Sequence, residues 1–111
     1  MKTANEIGPE ALDGPCTVVF ISASFCHACA EPVPWLEEIE SRTEGVTFVK
    51  VVVDKHQGAD RYHRGIKALR GYPFTIIYKN GNMIDFFYGH EGPGNYKMRV
   101  VHGIREFMKG G

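Results

Sequence analysis

The stretch FCHAC, residues 25–29, sets two cysteines two residues apart: Cys26 and Cys29, with His27 and Ala28 between them. Three chemistries suit such a pair. It can exchange with disulfides, lend two thiolates to a metal, or pack as two small hydrophobes. Spacing alone leaves all three open. A bond between Cys26 and Cys29 closes a very small loop and adds little stability by loop entropy, so a bonded pair would be chemistry more than a staple. His56, His63, His90 and His102 are scattered without ligand spacing to the pair, and no second CxxC follows. A structural zinc site is therefore the weaker reading, and no metal or other cofactor is expected. The remaining cysteine, Cys16, reads as a small buried hydrophobe ahead of a regulatory thiol.

The chain that must position this pair has 111 residues, the size of a single domain able to bury one core. Apolar residues make up 43% and charged residues 23%, and 13 Lys and Arg balance 13 Asp and Glu. That balance argues against a nucleic-acid partner and against a polybasic membrane anchor. Arg61 to Arg70 is a local basic stretch, read as a solvated helix face. No segment approaches the ~20 apolar residues that span a bilayer. The opening residues MKTANEIGPEALDG lack the apolar core of a signal peptide, so the expectation is a cytoplasmic protein.

Residues 1–15 read as a polar lead-in with one helical turn around Glu10 to Leu12. TVVFISA, residues 17–23, is a β-branched apolar run suited to a strand buried on both faces. EPVPWLEEIESRT reads as a helix with Trp35, Leu36 and Ile39 on its apolar face, bent or broken between Ala30 and Pro34 because Pro32 removes an interior hydrogen bond. A second buried strand follows at residues 46–54, interrupted by Lys50. Residues 56–69 suggest a surface helix carrying Tyr62, Ile66 and Leu69. FTIIYK, residues 74–79, and NMIDFFYG, residues 82–89, flank Asn80-Gly81, a strong short hairpin signal. The chain closes on an amphipathic helix with Met98, Val101, Ile104 and Met108 on one stripe, widened by Val100 and Phe107, and with Asn95 as N-cap. Tyr62, Tyr88 and Phe86 or Phe87 are expected in the core. The order implies a parallel βαβ unit plus an antiparallel hairpin, a mixed α/β sheet.

The cysteine pair thus falls where a buried strand ends and a helix starts. Amide N–H groups and the macrodipole there favour negative charge, and the thiolate is the nucleophile. Cys26 sits near the cap and more exposed; Cys29 sits one turn in and more buried. The expected mechanism is a two-step exchange through a mixed disulfide on Cys26 that Cys29 resolves. A cationic His27 would stabilise the Cys26 thiolate further, whereas a helix N-terminus opposes that cation.

Taken together, these residues resemble the thioredoxin family across residues 16–109. FCHAC matches the family's aromatic-CxxC motif, and Pro34 its helix-bending proline. RGYPFTIIYKNG, residues 70–81, resembles the stretch around its cis-proline, with Pro73 in that place; Gly89, Asp54 and Lys50 also fall at family positions. The resemblance implies a thioredoxin-like fold with a central mixed sheet of about four strands flanked by helices, its N-terminal strand and helix missing or shortened. It implies a single domain over 1–111 and catalytic positions at Cys26, Cys29 and Pro73, with Phe25, His27, Ala28, Tyr72 and Lys50 as neighbours. It also implies that Tyr72 offers its backbone to an extended substrate peptide.

The activity implied is reduction or exchange of protein disulfides, as a monomer recycled by a thioredoxin-reductase-type partner. Oxidase- or isomerase-type exchange is the variant within that class. The contrasting readings are a binding module or subunit whose cysteines are dispensable, and a metal site, zinc or a shared iron–sulfur cluster, built by two chains. Two departures stand out. Phe20 occupies the place of the family's buried acid, which leaves Lys50 without its usual neighbour and Cys29 without its usual proton acceptor. His27-Ala28 replaces Gly-Pro, from which a couple more oxidising than thioredoxin's is expected, between about −270 and −180 mV.

Overall fold

All six residues from Thr17 to Ser22 are buried, as their unbroken apolar run requires of a strand covered on both faces. The structure is a computed structural model and describes residues 1–56, 58–63 and 71–110, with 107–110 as backbone. Its strands are β1 (Lys2–Thr3), β2 (Thr17–Ser22), β3 (Thr47–Val52), β4 (Phe74–Lys79) and β5 (Asn82–Tyr88). Its α-helices are α1 (Pro32–Ser41) and α2 (Pro93–Gly110).

The sheet runs β1-β3-β2-β4-β5. β3 is parallel to β1 and β2, and β4 is antiparallel to β2 and β5. Asn80 and Gly81 both take positive φ, 52° and 85°, the geometry of a tight two-residue hairpin whose twist matches its strands. One sheet face buries Val18, Phe20 and Phe48 against Leu36 and Ile39 of α1 and Val100 and Ile104 of α2. The opposite face buries Val19, Ile21, Phe74 and Ile76 against Leu12 and Tyr62.

Three expectations need correction. The sheet has five strands: the lead-in contributes the two-residue β1 and a 3-10 turn at Pro9–Asp13, a shortened N-terminal element that remains paired to β3. The expected break before Pro34 is present, between the 3-10 turn ending at Ala30 and α1, and Pro32 takes the first position of α1, where its missing N–H would have no partner. α2 begins at Pro93, ahead of Asn95, whose Nδ2 donates to Glu91 O instead of capping. The buried line of α2 is Tyr96, Val100 and Ile104, leaving Met98 65% exposed. Tyr96 anchors that line: its hydroxyl shares a buried 2.8 Å hydrogen bond with Thr75 of β4. Of the expected surface helix, a 3-10 turn at Ala59–Tyr62 is described, with Tyr62 buried; Ile66 and Leu69 lie outside the described residues, as do Arg64 to Arg70 and the side chains of Phe107 and Met108.

Candidate active site

β2 delivers the chain to Ala23 and Ser24 at the edge of the core. There the Ser24 backbone N–H donates to Asp54 Oδ1 at 2.9 Å, and the Ser24 hydroxyl donates to Asp54 Oδ2. These two bonds hold the Asp54 carboxyl below the usual carboxylate range. They fasten the loop leading to the cysteines onto the chain just past β3.

Cys26 caps a 3-10 turn at His27–Ala30, and Cys29 N–H donates to Cys26 O at 3.3 Å. Glu31 carries helical angles, −66° and −46°, into α1. The expected break after Ala30 is thus a change from 3-10 to α geometry. Cys26 and Cys29 are joined by a disulfide with their Cα atoms 5.4 Å apart. Cys26 is half-buried, Cys29 only 5% exposed, and His27 and Ala28 face solvent.

Two further segments meet the pair. The Tyr72–Pro73 peptide bond is cis, Pro73 is buried, and its carbonyl accepts from Gly89 N–H at 2.7 Å. The exposed Phe25 ring sets its edge on Tyr72, centroids 6.1 Å apart. Beneath the pair lies a cavity of about 330 Å³ lined by Cys26 and Cys29 with Ser22, Ser24, Lys50 and Lys55. Phe20 is fully buried opposite Lys50 in the sheet register. Among the described residues no carboxylate lines that cavity, and its charged lining is Lys50 and Lys55. Lys50 escapes the cost of unpaired burial because it is only half-buried and opens into this space.

His90 carries little signal in the sequence, where it stands alone in the strand-to-helix connection. Its ring packs edge-on against Trp35 at 5.1 Å, its Nε2 stands 3.4 Å from Glu31 Oε2, and its Nδ1 accepts from Gly92 N–H at 3.3 Å. An acceptor at Nδ1 leaves the ring proton on Nε2, facing Glu31. His90 therefore ties the β5–α2 loop to the chain just past Cys29. Tyr88, expected in the core, is exposed; of Phe86 and Phe87, one of which is expected there, Phe87 is buried and Phe86 exposed. Among the described residues no cluster of three or more His, Cys, Asp and Glu could hold a metal ion, and no helix is long and apolar enough to cross a membrane.

No family model matches the chain. A Dictyostelium discoideum protein named "Putative thioredoxin-5" is 31% identical over 90 residues, covering 79% of this chain and 82% of that protein. The chain belongs to the thioredoxin family. Solved thioredoxin structures share its fold. The oxidised thioredoxin of Plasmodium falciparum superposes with a TM-score of 0.74 at 20% identity, over 92% of this chain and 96% of that one. Mitochondrial thioredoxin 3 of Saccharomyces cerevisiae gives 0.67 at 19%, over 92% of each chain. With the bonded Cys26–Cys29 pair in a member of this family, the chain is a protein thiol–disulfide oxidoreductase, acting on protein disulfides and recycled by a reductase.

Proposed function

We propose that this thioredoxin-family protein works in the reducing direction, with Cys26 as nucleophile and Cys29 as resolving thiol. The observation that carries the assignment is the contrast in burial between them: Cys26 reaches the surface while Cys29 stays inside. The Cys26 thiolate attacks one sulfur of a substrate disulfide, whose other sulfur leaves as thiolate and takes a proton. The Cys29 thiolate then attacks Cys26 sulfur, releasing the second substrate thiol and forming the Cys26–Cys29 bond. Two electrons and two protons pass to the substrate. A thioredoxin-reductase-type partner returns them.

In this reading Lys50 supplies the charge that the missing acid does not, its ammonium stabilising the Cys29 thiolate across the cavity. Tyr72 and Pro73 hold the substrate segment beside the disulfide, with Phe25 as an apolar wall. His27 and Ala28 form the outer rim of the pair. The reducing direction suits a cytoplasmic location, and residues 1–111 act as one monomeric domain. Insulin reduction driven by dithiothreitol tests the assignment. Cys26→Ser is expected to abolish turnover, and Cys29→Ser to accumulate a mixed disulfide on Cys26; unchanged turnover in Cys26→Ser would leave a binding module as the better account.

A further inference from the structure

Five aromatic rings form a band that starts at the cysteine pair and leads away from it. Phe25, 71% exposed, rests on Tyr72. Beyond Pro73, the fully buried Phe74 carries two rings of β5: Tyr88 stacked on it at 4.5 Å, and Phe86 edge-on at 5.8 Å. Tyr88 is 38% exposed and Phe86 47%. In register they pair with Phe74 and Ile76, so they lie on the sheet face opposite α1 and α2. The Gly89 N–H bond to Pro73 O joins the end of β5 to the Tyr72–Pro73 link. From Tyr88 to Phe86 the band continues about 7 Å at ~3.3 Å per strand residue.

We propose that Tyr88 and Phe86 extend the substrate-docking face, and that the preferred substrates are extended polypeptide segments carrying bulky apolar residues beside the disulfide cysteine. The inference rests on the reading of Cys26–Cys29 as the exchange site. Its support is continuity: the rings begin at that site and run on from it. A second copy of this chain pairing edge to edge on β5 fits less well. The Phe86 N–H already donates to Asp85 Oδ1 at 2.9 Å, and its carbonyl accepts from Arg99 Nη2 at 3.3 Å. Strand addition there must break both bonds, whereas apolar side chains of a guest need only cover the rings.

The experiment uses two disulfide-linked peptides that differ only in the residues flanking cysteine, Leu and Phe in one and Ser in the other. Phe86→Ser is expected to lower the ratio of kcat/KM for the apolar over the serine peptide at least fivefold. Ile84→Ser removes an exposed apolar residue of the same strand that lies on the α2 side with His102 and Gly103, and should leave the ratio unchanged. An equal loss on both peptides, or no loss, overturns the proposal. So does sedimentation showing a dimer that Phe86→Ser dissociates. Fluorescence titration with the reduced apolar peptide reads the band separately from exchange: weaker binding by Phe86→Ser supports docking even if turnover of every disulfide fails, and that failure would count against the exchange reading.

Discussion

Cys16 and Cys26 differ in chemistry because they differ in surroundings. Burial at the start of β2 pushes the Cys16 thiol up to about 11, and the charge of Lys79 offsets only part of that. At pH 8 a thiol so shifted is almost wholly protonated, and the thiolate is the species that alkylates. Iodoacetamide at pH 8 is therefore expected to label Cys26 of the reduced protein within minutes and Cys16 only after denaturation. Peptide mass spectrometry checks this, and rapid labelling of native Cys16 would contradict it. Lys50 presents the other residue-scale question. Replacing it with Met keeps the length and removes its charge from the cavity that Cys29 also lines. The expected result is about tenfold slower release from the mixed disulfide, the effect of losing ~1.4 kcal/mol of transition-state stabilisation. The pH profile of that step distinguishes charge from packing: restoration by Lys50→Arg supports a charge role, and an unaltered rate in Lys50→Met removes it.

Between elements, the bond that joins β4 to α2 is the Thr75–Tyr96 hydroxyl pair, buried on both sides. Tyr96→Phe keeps the ring in place against Trp35 and Phe87 but strands the Thr75 hydroxyl. A buried polar group left without its partner costs about 1–3 kcal/mol, so a clear loss in urea midpoint with unchanged slope is expected; a midpoint equal to wild type would show that Thr75 finds another partner. This same tyrosine explains where sequence reading stopped. β2, β3, β4 and the Asn80-Gly81 hairpin were legible because apolar runs and turn residues are local signals. The α2 stripe was not: lines through 98, 101 and 104 or through 96, 100 and 104 satisfy the helical period equally, and a cross-element hydrogen bond selects the second. β1 escaped notice because two residues carry no period, and only pairing with β3 makes them a strand. The cysteine turn and Pro73 were legible through motif spacing. His90 was not, since its meaning lies in contacts with Glu31 and Trp35 that the chain order does not show.

At the scale of the molecule, three carboxylates sit at joints between parts of the fold. Glu38 of α1 binds the Lys97 ammonium of α2, Asp54 binds the loop before Cys26, and Glu6 accepts from the Thr3 backbone and hydroxyl in the lead-in. Hydrogen bonding to those partners lowers each from its ordinary value, 4.5 for the two glutamates and 3.8 for the aspartate. A carboxyl whose folded-state value is depressed stabilises the fold fully above its unfolded-state value, and that contribution fades as pH falls through the folded-state value. Melting temperature should thus stay level as pH drops from 7 to about 5, then decline below about 4.5. All three groups are exposed, so solvent and salt screen them and the decline should be gradual. Calorimetry across that range, repeated with Glu38→Gln, separates the α1–α2 joint from the others. The variant is expected to start with a lower melting temperature at pH 7 and to fall less steeply in acid, so that the two curves converge at low pH. If the curves stay parallel throughout, the Glu38–Lys97 pair is not part of what holds the two helices on one face of the sheet.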